Sequence, residues 1–216
     1  MIKIDLQFFG GRGSSSSGGG GTTGGNVGVL ETTSLMSARE GQRQDVDETM
    51  SVFSSVYDEY GVQVDDIQIA TLDAKSQGVM AYYDAGDNIA INQSYFNSAK
   101  MNAAYDQCVS SGYHPSRGNK TGLQAVTAHE LGHKLTERVG AKMGKEGFGN
   151  LDKVSSKILK EAGVKTKSTK ISGYARTKGA ETIAEAFADV FCNGKKAHSD
   201  STKIVNTMNK YLKGGN

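Results

Sequence analysis

Residues 128–135 read AHELGHKL, placing His129 and His133 four apart with Glu130 between them. On a helix, residues four apart lie about 40° apart on one face with Cβ atoms about 5–6 Å apart, so the two imidazoles can share one cation. Glu130, about 60° around from His133 at helical spacing, can face a water on that cation without ligating it. This is the HExxH arrangement, in which two neutral imidazoles hold zinc and leave it Lewis-acidic while the carboxylate serves as general base. A metal lowers the pKa of bound water to about 7, and a carboxylate can take the proton as the water attacks a carbonyl. A chance HExxH is improbable with 4 histidines in 216 residues. The flanks agree: Leu123, Val126, Leu131 and Leu135 can bury the sides of the helix, and Gly132 leaves space beside the metal face.

Catalytic zinc ordinarily takes three protein ligands. The candidates for the third are His114, His198 and the acids downstream. GAETIAEAFADVF puts Glu181, Glu185 and Asp189 on one stripe, opposite Ile183, Phe187, Val190 and Phe191. Like charges at this spacing repel by a few tenths of a kcal/mol each. A metal ion and the ring N–H of a ligating histidine would relieve them. Taken alone, the stripe reads equally well as a solvated acidic face; beside an HExxH helix, the metal reading is preferred.

HELGH followed by GYARTKGAETIAEAFADVF resembles the catalytic core of the anthrax lethal factor-like metallopeptidases, which include the Pro-Pro endopeptidases, within the gluzincin class. That family carries HExxH, then a Tyr in a Y-x-R/L-T context, then a ligand Glu inside E-x-x-x-E-x-F. Here Tyr174, Arg176 and Thr177 precede Glu181, Glu185 and Phe187. The resemblance implies a zincin-like fold and one Zn²⁺ held by His129, His133 and Glu181. It further implies Glu130 as general base, Tyr174 as the hydroxyl that stabilises the oxyanion, and Glu185 as the acceptor orienting a ligand histidine. Shifting the register by one turn would make Glu185 the ligand with Asp189 behind it; Glu181 alone preserves the spacing to Tyr174. Without the family, Tyr174 reads as a packed loop tyrosine.

The elements that must position these residues follow from periodicity. Helices are predicted over 45–60, with Val46, Met50, Phe53, Tyr57 and Tyr60 as the apolar face, over 95–110 capped by Ser94, and from Thr121 to about Val139. Further helices fall at 150–162, 178–193 and 200–213, and strands over 62–72, 78–83 and 88–92, the last two joined by DAGDN as a hairpin. The order is α+β: a small mixed sheet with a hairpin and an edge strand, then the active-site helix and C-terminal helices. By analogy with the family, NIAIN (88–92) is the edge strand that receives an extended peptide. The lysine-rich VKTKSTKISG before Tyr174 reads as a mobile loop over the cleft.

Of 28 glycines, many lie in GGRGSSSSGGGGTTGGNVG, Gly10–Gly28, which has too little apolar surface to offset the entropy of ordering it. Residues 1–28 are therefore expected to be a disordered leader and linker, and 29–216 one metallopeptidase domain. MIKIDLQFFGGRG resembles the opening of structural proteins encoded by bacteriophages and mobile elements of Gram-positive bacteria, which implies association with a phage particle or mobile element through this arm. No secretory signal or apolar span of membrane length is evident, so a cytoplasmic or virion-associated protein without membrane contact is expected. Cys108 and Cys192 suit buried thiols. Residues 29–110 carry 4 Lys and Arg against 13 Asp and Glu, and 145–178 carry 9 against 3, but without interleaved aromatics this argues against nucleic-acid binding. The expected activity is zinc-dependent cleavage of a protein or peptide. The alternatives are a phage or mobile-element binding protein retaining an inactive zinc fold, and an effector delivered to a host.

Overall fold

The computed structural model describes residues 27–38, 40–84, 87–145 and 148–214. The leader as far as residue 26 and the centre of the DAGDN turn lie outside the described residues. In chain order the elements are Val29–Ser34 (β1), Arg43–Tyr60 (α1), Asp66–Leu72 (β2), Ala81–Tyr83 (β3), Asn88–Asn92 (β4), Ser98–Ser110 (α2), Gly122–Lys142 (α3), Leu151–Ala162 (α4), Gly179–Asn193 (α5) and Ser199–Leu212 (α6). The architecture is α+β, with a mixed four-stranded sheet in the order β1-β2-β4-β3. β1 is antiparallel to β2, β2 is parallel to β4, and β3 closes the β3–β4 hairpin antiparallel. Among the described residues no helix is long and apolar enough to cross a membrane.

This order corrects one expectation directly. Residues 88–92 pair on both sides, with β2 and with β3, so they form an inner strand. Residues Ile89 to Asn92 are buried without alternation, as a strand covered on both faces requires. The outer strand on the α3 side is β3, which starts at Ala81 rather than at 78. The other outer strand, β1, was not predicted: most of VLETTS is exposed, so it shows no apolar alternation. The fold also reaches back past the expected 28/29 boundary. Val27 is buried, Gly28 N–H donates to Ser76 Oγ at 2.9 Å, and the Gly28 carbonyl accepts from Asp73 N–H at 2.8 Å.

α1 buries Val52 and Val56 together with Asp45 and Thr49, while Tyr57 is half-exposed, so its inner face is rotated from the predicted one. Hydrogen bonds decide this. Asp45 Oδ1 accepts from Ser98 N–H at 2.8 Å at the start of α2, and Thr49 Oγ1 donates to the Asp45 carbonyl at 2.9 Å. α2 is capped by Asn97, whose side chain accepts from Lys100 N–H, so the cap falls three residues after Ser94.

α3 begins where Thr121 predicted, in a capping box: Thr121 Oγ1 accepts from Gln124 N–H at 3.2 Å and Gln124 Oε1 accepts from Thr121 N–H at 3.1 Å. The helix runs through the centre of the molecule. Leu131, Leu135 and Val139 pack in one core with Tyr83, Ile89, Ile183 and Phe187, and Leu123 and Val126 in a second with Ile91, Met101 and Tyr105. α3 comes closest to α5 at Gly132, where an added Cβ would lie 2.8 Å from Ala184 Cα and 3.3 Å from Phe187 Cβ. Gly132 therefore faces the α5 backbone, and its role is to let two helices touch rather than to leave space beside a metal. Gly132→Ala should destabilise the fold by about 1–3 kcal/mol despite the better helix propensity of alanine, because both backbones must part. Urea denaturation of the metal-free protein measures this; an unchanged midpoint would mean that the crossing is loose.

Candidate metal centre

The crossing of α3 and α5 brings together side chains that the sequence places far apart. His129 and His133 lie on α3 with ring centroids 5.1 Å apart and planes at 80°. Glu181, in the first turn of α5, puts Oε2 at 3.2 Å from His129 Nε2 and 3.4 Å from His133 Nε2. All three side chains are buried, and one ligand atom from each lies within 4.8 Å of the others. Zinc–ligand bonds of about 2.0–2.1 Å in a tetrahedron give ligand separations of about 3.4 Å, which the two carboxylate–imidazole distances match. The position of Glu181 at a helix N-terminus also favours its ionised form.

Glu185 lies one turn on. Its Oε1 accepts from His129 Nδ1 at 2.8 Å, so this carboxylate holds the edge of the ring opposite Glu181. Asp189, the other acid of the stripe, is elsewhere: it accepts from His198 N–H at 2.8 Å and Ser201 Oγ at 2.6 Å and so anchors the start of α6. The shifted register, with Glu185 as ligand and Asp189 behind it, does not match this geometry. Of the two histidines unassigned from sequence, His198 serves as that anchor, its Nδ1 accepting from Asp200 N–H.

The second, His114, belongs to the centre. It is buried with Nδ1 3.0 Å and 3.1 Å from the two oxygens of Glu185, and Ser172 Oγ donates to Glu185 Oε2 at 2.7 Å. His114 was a candidate ligand by residue type alone, and no sequence signal ties either residue to Glu185. The segment predicted as a mobile loop over the cleft is instead fastened down: Thr169, Ile171 and Ser172 are buried, and Thr169 Oγ1 donates to Asp200. Tyr174, in a 3-10 turn, is buried with its ring stacked at 5.8 Å from His129. Cys108 and Cys192 are free thiols, buried as expected.

Glu130 is 1 % exposed, with Oε1 lacking a hydrogen-bond partner among the described residues. Its carboxylate takes a main-chain N–H from Tyr83 on β3. The same tyrosine fastens β3 to α3, since its hydroxyl donates to Glu137, with Asp87 Oδ1 3.0 Å from the same oxygen.

Burial dominates the charge balance, and the partners then redirect it. It would lower the pKa of His129, but the hydrogen bonds to Glu181 and Glu185 outweigh it and raise the imidazole to about 10. Burial would raise Glu181, but His133 and His129 hold it well below the usual carboxylate range. Glu185 is held at about 2, burial being overcome chiefly by His114. Burial lifts Glu130 to about 7, because the charges of His129 and His133 offset it only in part. Tyr174 is pushed well above 10 by burial and by the charges of Glu181 and Glu130. The phenol therefore keeps its proton.

No protein-family model, curated protein or solved structure matches the chain.

Proposed function

We propose that the domain is a zincin-like, zinc-dependent endopeptidase. The observation that carries this reading is the convergence of His129, His133 and Glu181 beside the buried, unpartnered oxygen of Glu130. The donor set suits zinc: two imidazoles and a carboxylate, the count of a catalytic site that keeps a fourth position open. Zinc supplies Lewis acidity, which acidifies water and polarises a peptide carbonyl.

The chain's own residues do the rest. Glu130, with a pKa near neutrality, is matched to accept a proton from a nucleophilic water and pass it to the leaving amine. Tyr83 N–H fixes the carboxylate on β3 and leaves Oε1 to do this. Tyr174, protonated and close to His129, supplies a hydrogen bond to negative charge developing on the carbonyl oxygen. Glu185 keeps His129 in the tautomer that presents Nε2 to the cation. A phage or mobile-element binding protein would use the three ligands alone; a buried carboxylate with an unpartnered oxygen has no purpose in it.

The test is cleavage of a peptide library, abolished by a chelator and restored by zinc. Stoichiometric zinc without cleavage of any peptide would support the binding protein instead. A second readout follows from His129, which at pH 7 is protonated in the metal-free protein and must be neutral to ligate. Uptake of zinc should release about one proton per site in weakly buffered solution at pH 7. Proton and cation compete for the same nitrogen, so apparent affinity rises with pH until His129 deprotonates unaided near 10. Uptake with no proton release would show that His129 does not ligate.

A further inference from the structure

We propose that His114 is a positioning residue of the metal centre: together with Ser172 it fixes the Glu185 carboxylate so that one oxygen is presented to His129 Nδ1. The inference rests on the metallopeptidase reading and adds a residue outside its motifs.

The chemistry of Glu185 requires such a partner. An ionised carboxylate has about four acceptor sites, and a buried one must have its charge and lone pairs met. His129 Nδ1 meets Oε1 alone, at 2.8 Å. Held by that single bond, the carboxylate could swing about its own axis. His114 Nδ1 spans both oxygens at 3.0 and 3.1 Å, and Ser172 Oγ occupies Oε2 at 2.7 Å. With His114 and Ser172 in place, the side of Oε1 facing α3 is left for His129. His114 is itself held, its ring stacked on Tyr105 at 5.2 Å and 11°.

The turn that carries His114 does a second job. Gly173 N–H donates to the Gly112 carbonyl at 2.8 Å and Tyr174 N–H to the Tyr113 carbonyl at 3.0 Å. One segment, 112–114, therefore sets both the main chain of Tyr174 and the carboxylate behind His129. An ordinary core histidine accounts for the burial and the stacking. It does not account for an imidazole shared with the acid that orients a ligand.

The experiment compares His114→Ala, His114→Asn and His114→Gln by zinc affinity against a competing chelator, the visible spectrum of the cobalt-substituted protein, and the thermal midpoint of the metal-free protein. Asn places an amide N–H near the position of Nδ1, and Gln places it beyond. Loss of a partner behind a ligand typically costs about 10–100-fold in metal affinity, which is the expected fall for Ala and Gln, with an altered cobalt spectrum. Asn should recover most of both. If all three variants bind zinc like the wild type, whatever their thermal midpoints, His114 is only a packed core residue and the proposal is overturned. If Ala does not fold, the contrast between Asn and Gln decides, and equal affinities overturn it. Failure of the wild type to bind zinc at all would instead remove the metal reading, and this inference with it.

Discussion

Glu130→Gln is expected to reduce peptide cleavage by about 10²–10⁴-fold while zinc still binds one per chain, because the change removes a proton acceptor and keeps the shape. Glu130 lies too far around α3 to be needed as a ligand, and the three ligand atoms that converge come from other residues. The amide keeps an oxygen for Tyr83 N–H, so β3 should stay in place. The loss should fall on kcat, since the acceptor acts as the proton leaves and not in binding. Steady-state kinetics with metal analysis of the same sample checks this. A variant that cleaves at the wild-type rate would show that Glu130 is not the base, and one that loses its zinc would show that the carboxylate supports the ligands.

The second large effect separates Glu181 from Glu185. Glu181→Gln removes the only carboxylate among the described residues within 3.2–3.4 Å of both imidazole Nε2 atoms, and zinc affinity should fall by well over the roughly 100-fold that marks the loss of an outer partner. Glu185→Gln removes an acceptor behind His129, and its loss should stay within about 10–100-fold. Chelator competition ranks the two. The reverse order would make Glu185 the ligand, and the register of α5 over α3 would have to differ by one helical turn.

What could be read in the sequence, and what could not, divides along local and non-local physics. α3 was legible because its cap, its apolar flanks and its histidine spacing all lie within one stretch from Thr121 to Val139. The stripe of α5 was legible for the same reason, and so was the β3–β4 hairpin. The place of β4 inside the sheet was not, since it depends on a parallel pairing with β2 across an intervening strand. α1 misled because polar Asp45 and Thr49 are buried by bonds to α2 and to their own helix, which no apolar pattern records. His114, a candidate ligand in the sequence, hid its actual place for a related reason: a lone loop histidine acquires that meaning only from Glu185, 71 residues away.

That wide separation of donors bears on how such a protein matures. His129 and Glu181 are 52 residues apart, and neither imidazole has its carboxylate until α5 has docked across Gly132. In small zinc domains the cation drives an otherwise unfolded chain to fold. On the proposed reading, the packing of two long helices comes first here, and the cation joins a nearly finished molecule. If the chain is the proposed peptidase, a polypeptide still emerging from the ribosome would carry HELGH long before it carried a working centre, and synthesis itself would keep it chemically inert.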